Sequence, residues 1–342
     1  MLYLHGLGHF HPPNVIDNDF LASLDIGVDC NWIEERVGIR ERRTTMSLDY
    51  IRETRNLDTR ASAEGSTVST VDMAREAALC ALRRAGVEAK SIGMVIAGGC
   101  CPEMLIPAEA CRVAAALEMP AVAFDLSAAC ASFAAQIHFV SQMQPESLPD
   151  FLIVLNVEAF TRTIDYSDRK SAVLFGDAAT AAVLSPRIPS SRRIVASTFH
   201  TEPAGHNQIT IPAGGHFSQD GHRVQLFAIR KTSEMVQHFQ SQRNGHEPAE
   251  EYFVGHQANL RVLEGVCGRL NIPEPRHLTN VARFGNCGAA GAPSVLSQNW
   301  ESLKPSVVNV AVVGSGLSWG GVRIQVEAQI HADRLALERT AI

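Results

Sequence analysis

The chain has 342 residues, 46% of them hydrophobic and 19% charged, with a formal net charge of -6. Such a composition describes a globular protein with a large core, of a length that suits two halves or two domains. It argues against a nucleic-acid binder, which is usually basic, and the absence of any run of about 18 apolar residues argues against a membrane span.

The N-terminus, MLYLHGLGHFHPPN, has no basic flank and no long apolar segment, so no secretory signal is expected. The 8 cysteines are scattered without a CxxC. Reduced thiols in a cytoplasm are the simplest reading, and no His/Cys cluster has metal-ligand spacing.

Strand-like apolar runs follow in chain order: MVIAGG (94–99), AVAFDL (121–126), FLIVLNV (151–157), ATAAVLS (179–185), EYFVGH (251–256) and VNVAVVG (308–314). Their nearly continuous apolar character suits strands buried on both faces. Between them lie helical patterns at 71–86, 107–119, 131–143, 224–242 and 259–271. Gly86 ends the first after two arginines, and Pro107 suits the first turn of the second. Alternating strands and helices predict a layered α/β fold. The polar stretch 43–69 reads as a surface excursion, helical in part at LDYIRET. Residues 186–222 read as a long connection between halves, and ADRLALERT in the tail as a surface helix. The turns FGDAATAAVL (175–184) and FGNCGAAGAPSVL (284–296) share a pattern that duplication would explain.

Four positions carry candidate chemistry. Cys130, in FDLSAACASF (124–133), follows a strand and precedes an amphipathic helix. Free N–H groups and the helix dipole favour a thiolate there, and the small neighbours leave room for a carbonyl. A buried structural cysteine fits the decapeptide equally well. His256 ends a strand and is either an acid/base or donor group or one more satisfied polar residue. Asn286 lies in a tight turn, as a turn residue or a fixed N–H donor. The turn VVGSGLSWGG (312–321) is a plain turn or a source of a backbone oxyanion donor.

Taken together, these motifs resemble the β-ketoacyl-acyl-carrier-protein synthase III family of the thiolase superfamily. The resemblance runs from NWIEERVGIRERR (31–43) through DLSAACASF, SDRKSAVLFGDAATAAVL (167–184), HQANLR (256–261) and FGN (284–286) to GSGLSWGGVRI (314–324). It implies an α/β, thiolase-like five-layer αβαβα fold with two pseudo-symmetric halves, 1–186 carrying the nucleophilic Cys and 187–342 carrying His and Asn, active as a homodimer. It implies decarboxylative Claisen condensation of an acyl-CoA primer with malonyl-acyl carrier protein, through an acyl-Cys130 intermediate. His256 and Asn286 would stabilise the enolate, and the backbone N–H groups of Cys130 and Ser315 the acyl oxyanion. Asn286 in place of a second cysteine favours condensation over thiolase chemistry, provided the adjacent Cys287 points elsewhere.

By the same resemblance Trp32 and Arg169 sandwich the CoA adenine, Arg36 meets its phosphates and Asn259 its pantetheine. Arg261 and Arg269 form a basic dock for the carrier protein, with Gly268 where a basic residue is expected. Phe133 shields the thiol or packs in the core. Ile106 stands where a phenylalanine blocks the partner's acyl pocket in prototype enzymes, which points to a primer larger than acetyl. No permanently bound cofactor is implied. Three other readings stay open: an acyltransferase or chain-joining ketosynthase of secondary metabolism, an inactive scaffold of this fold, and a Cys-His-Asn hydrolase of papain type.

Overall fold

The computed structural model describes residues 2–243 and 250–328. Among these residues the core is a nine-stranded sheet. Numbering only the strands of this sheet, β1 is Leu2–Phe10, β2 Ile92–Cys101, β3 Val122–Asp125, β4 Phe151–Glu158, β5 Ala178–Ser185, β6 Arg192–Thr201, β7 Glu251–Gly255, β8 Ser306–Gly314 and β9 Ser318–Val326. The spatial order is β7-β8-β9-β6-β1-β5-β4-β2-β3. The six apolar runs read from the sequence are all strands, but β3 is not buried on both faces: it is the last strand of the sheet, with Val122 and Phe124 exposed.

The sheet is two copies of one pattern. In the first half, counting from β1, strands lie in the order third, second, fourth, fifth, first. The fifth, β5, is antiparallel to its neighbours. The second half repeats this order from β6, with its third strand reduced to a single parallel bridge, Phe253 to His277. The halves join where β1 meets β6 through Leu2–Ile194 and Tyr3–Arg193.

The main helices are α1 (Cys30–Val37), α2 (Leu48–Thr54), α3 (Thr70–Ala85), α4 (Glu109–Ala116), α5 (Ser132–Gln142), α6 (Gly221–Ser241), α7 (Leu260–Leu270) and α8 (Gly291–Gln298). The first half's outer layer is α3 and α4, and the second half's is α6 and α7. Between the halves lie α5, touching β2, β4, β6 and β9, and α8, touching β1, β5 and β7. Five layers result, and the two central helices are the most apolar because both their faces are covered. Helix α3 shows how local sequence sets this packing. Ser69 and Asp72 close its N-terminus in a capping box, and Gly86 ends it in the left-handed region. Its buried face includes Ala74, Ala77, Ala78 and Ala81. Small residues let it lie directly on β1, where a Cβ at Gly8 would stand 2.0 Å from the Ala77 carbonyl oxygen.

Several expectations need correction. The stretch 186–222 is not only a connection, since β6 lies within it, at the middle of the sheet. That strand has mixed burial and so shows no continuous apolar run. The second half of the glycine-rich turn is β9, whose Gly320 and Gly321 admit Ala134 of α5 and Phe239 of α6. Pro107 is not in a helical turn: it follows a cis peptide bond, and α4 starts at Glu109. The excursion 43–69 contains α2 as expected, but Met46, Ile51, Asn56 and Ser62 are buried, so it is not merely superficial. The tail segment ADRLALERT lies outside the described residues.

Candidate active site

Cys130 sits in the loop between β3 and α5. Ala129, just before it, holds φ +50 without being glycine, a strained setting that turns the chain sharply at the thiol. The loop is locked by Ser132, whose hydroxyl accepts from the Ala128 N–H at 2.9 Å and donates to the Ala129 carbonyl at 2.6 Å. The thiol thus stands at the mouth of α5, where the dipole is positive. Cys100, near the end of β2, places its sulfur 3.6 Å from that of Cys130. The hydrogen bond with Cys100 is the main influence holding the Cys130 thiol below the ordinary range, with the adjacent His256 acting the same way and burial opposing both.

His256 extends β7 by one residue, donating its N–H to the Ala311 carbonyl at 2.8 Å. The next residue, Gln257, is fully buried and fixes this strand end. Its amide nitrogen donates to the Gly255 carbonyl at 2.7 Å, and its oxygen accepts from the Thr279 hydroxyl at 2.8 Å and from the N–H groups of Asn280 and Val281. Asn286 is positioned by the two FG turns, which interlock. The Asn286 N–H donates to the Leu174 carbonyl at 2.8 Å, and the Gly176 N–H to the Asn286 carbonyl at 3.1 Å. A Cβ at Gly176 would lie 2.2 Å from the Phe284 carbonyl oxygen, so this crossing needs glycine. The Asn286 Oδ1 accepts from the Gly288 N–H at 3.0 Å. That bond fixes the side-chain oxygen and leaves the NH2 as the free donor.

These elements meet around one cavity of about 320 Å³, lined by Cys130, His256, Asn286, Asn259 and Ser315 among others. An aromatic wall completes it: Phe160 stacks on Phe175 at 4.2 Å, and Phe217 meets both edge-on. Gly314 brings the β8–β9 turn against the thiol loop, since a Cβ there would lie 3.1 Å from the Cys130 nitrogen. Cys287 turns away, buried against Ala178 and Ala290 with its thiol on the Phe284 carbonyl.

The remaining expected residues lie elsewhere. The Arg169 guanidinium carbon is 5.6 Å from the Trp32 ring centroid, so the two close on each other and an adenine between them would have to part them. Arg36 is exposed on α1. Arg261 is engaged, pairing with Glu264 at 2.8 Å and donating to the carbonyls of Glu34 and Glu35, while Arg269 is exposed. Phe133 is in the core with Ile137 and Val140 and does not line the cavity, which decides for packing over shielding: as the second residue of α5 it points into the middle layer. Ile106 is 82% exposed and lies away from this chain's own cavity.

Sequence reasoning missed Cys100, Gln257, the aromatic wall and Glu158. Glu158, at the end of β4, is fully buried and accepts from the N–H groups of Cys100 at 2.9 Å and Ala289 at 2.8 Å. Burial, then the nearby Cys130 charge, pushes its carboxyl up to about 8 despite those N–H bonds. The folded protein therefore holds a proton that the unfolded chain releases near its ordinary value of 4.5. Stability from this group is complete below that value and is lost as pH rises through about 8. Each tenfold change in proton affinity is worth about 1.4 kcal/mol, which puts the loss on the order of a few kcal/mol. Denaturant unfolding at pH 5.5 and 8.5 should show a fall in the wild type that Glu158→Gln largely removes; equal falls in both would contradict this assignment.

Comparison with known proteins decides the family. The family model described as 3-oxoacyl-[acyl-carrier-protein (ACP)] synthase III matches residues 124–203, and its C-terminal counterpart matches 242–326. The β-ketoacyl-[acyl-carrier-protein] synthase III of Oceanobacillus iheyensis is 31% identical over 326 residues, covering 94% of this chain and 97% of that protein. The chain belongs to the β-ketoacyl-acyl-carrier-protein synthase III family. Crystal structures of synthase III from Aquifex aeolicus (TM-score 0.84, 26% identity, 95% of this chain and 100% of that one) and Pseudomonas aeruginosa (0.83, 28%, 96% and 99%) share its architecture. The fold is thus thiolase-like, and the protein is a condensing acyltransferase of the synthase III type. Among the described residues, no helix is long and apolar enough to cross a membrane.

Proposed function

We propose that this synthase III condenses an acyl-CoA primer larger than acetyl with malonyl-acyl carrier protein, using Cys130, His256 and Asn286. The observation that carries the reading is the convergence of these three side chains on one apolar-walled cavity, with the Asn286 oxygen already occupied. The Cys130 thiolate attacks the primer thioester carbonyl, the carbon–sulfur bond to CoA breaks, and CoA leaves as its thiolate, which takes a proton from water. Malonyl thioester then enters and its carboxylate departs as CO2. The electron pair left behind forms an enolate, and its oxygen accepts from the His256 N–H and the Asn286 NH2. The enolate carbon attacks acyl-Cys130, the oxyanion is met by the N–H groups of Cys130 and Ser315, and the thiolate leaves. Neutral, fixed donors suit this step because they stabilise charge without offering a proton to the carbanion.

Phe160, Phe175 and Phe217 support the larger primer, since an acetyl group has no use for such a wall. In this scheme residues 1–186 supply the thiol and 187–342 the imidazole and amide. Trp32, Arg36, Arg169 and Asn259 serve CoA, with the Trp32–Arg169 pair opening for the base. Arg230 and Arg269, beside a shallow hollow also lined by Glu202 and by Arg223 in its pair with Asp220, with Leu226 exposed next to it, suit an acidic carrier better than Arg261 does. A homodimer is supported by β3, the last strand of the sheet, whose Val122 and Phe124 are exposed, and by the exposed Leu105 and Ile106. An apolar edge of this kind is ordinarily covered.

Purified protein incubated with acetyl-, butyryl-, hexanoyl- and octanoyl-CoA should gain the acyl mass on Cys130, most from the longer primers, and then release CO2 from malonyl-carrier protein. Preference for acetyl-CoA would overturn the primer assignment. Acyl transfer without CO2 release would favour an acyltransferase.

A further inference from the structure

Cys100 has no part in the scheme above, yet its sulfur lies 3.6 Å from that of Cys130. Both thiols are reduced. The surroundings of the two differ. Cys130 lies at the N-terminal mouth of α5 with His256 beside it. Cys100 lies on β2 with its own N–H bound to both oxygens of Glu158, at 2.9 and 3.1 Å. Cys101 on β2 is a further titratable group near the pair. A negative charge on the pair is therefore attracted to Cys130 by the helix end and by His256. One proton shared between two sulfurs stays on Cys100.

We propose that Cys100 is a positioning residue that donates its S–H to the Cys130 thiolate, fixing that sulfur and enlarging its ionised fraction. This rests on Cys130 being the nucleophile. Cys100 acts through Cys130 and need not touch substrate. The Glu158 contact has a use here, because it holds the Cys100 backbone in place. A thiol is a weak neutral donor, but donation to an ionised acceptor is strengthened. The direction agrees with the raised Cys100 and lowered Cys130 titration.

The test is the pH dependence of Cys130 alkylation by iodoacetamide, read by peptide mass, in the wild type, Cys100→Ala and Cys100→Ser, with thermal melts to confirm folding. Cys100→Ala should raise the midpoint by about one pH unit, a roughly tenfold drop in rate on the acid limb. Cys100→Ser keeps a donor and should stay near the wild type. Coincident wild-type and Ala profiles would overturn the proposal, as would equal shifts in Ala and Ser, which would mark a packing effect. The same samples treated with octanoyl-CoA separate the two readings. An alkylation shift without an acyl group on wild-type Cys130 from octanoyl-CoA or any shorter primer of the panel would sink the nucleophile assignment and leave the thiol pairing standing.

Discussion

Alanine at His256 or Asn286 should stop decarboxylation while leaving Cys130 able to take an acyl group. Each side chain supplies one fixed donor to the enolate oxygen, and removing one such donor typically costs about 10²–10³ in rate. His256→Ala and Asn286→Ala should therefore each lower CO2 release by that factor, with the double variant near background. Acylation draws on the helix α5 terminus and on Cys100, which both variants retain, so the octanoyl adduct should form to the same final extent. Its rate should fall modestly in His256→Ala, because the imidazole also helps hold the thiolate. Asn286→Asp is informative as well: the geometry is kept but the donor becomes a charged acceptor facing an enolate, and it should be at least as inactive as alanine. If His256→Ala abolished acylation as completely as decarboxylation, the imidazole would be a base for the thiol, and the papain-like reading would regain ground.

Cys130→Ala should show the opposite dissociation. No acyl-enzyme can form, and condensation should fall by roughly 10⁴-fold or more, as when a nucleophile that acts with its partners is lost. His256 and Asn286 remain on the cavity, so malonyl thioester should still lose CO2, yielding the acetyl thioester because the enolate finds only a proton. Uncoupled decarboxylation in this variant, set beside uncoupled acylation in the other two, separates the two stages with the same assays. Condensation retained by Cys130→Ala would mean that the thiol is not the nucleophile.

Much of this site is legible in the sequence, and the reason is local. Cys130, His256 and Asn286 each sit where an apolar strand ends or a tight turn begins, and both features leave marks in composition. The two FG turns also show, and the structure gives their likeness a physical basis, since they cross each other at Gly176 and Gly285. What the sequence hides is created by long-range contact. Cys100 is one half of an unremarked CC dipeptide until the parallel sheet and the thiol loop bring it to Cys130. Glu158 reads as the polar end of an apolar strand, and only burial makes it a proton reservoir. The aromatic wall takes Phe160 and Phe175 from one half and Phe217 from the stretch read as a connection. The strand β6 escaped because most of its residues are only partly buried and polar residues interrupt its apolar ones. Phe133 shows the converse error: proximity in sequence to the thiol says nothing about direction once a helix begins, and its ring faces the core.

The most direct measurement is a crystal structure of the protein after a brief soak in octanoyl-CoA. A thioester is expected on the Cys130 sulfur, its carbonyl oxygen within hydrogen-bond reach of the Cys130 and Ser315 N–H groups, its chain against Phe160, Phe175 and Phe217, and the donors of His256 and Asn286 facing the vacant malonyl side. An acyl group on any other residue, or a bound acyl-CoA with its carbonyl remote from this sulfur, would contradict the assignment of Cys130 as the nucleophile.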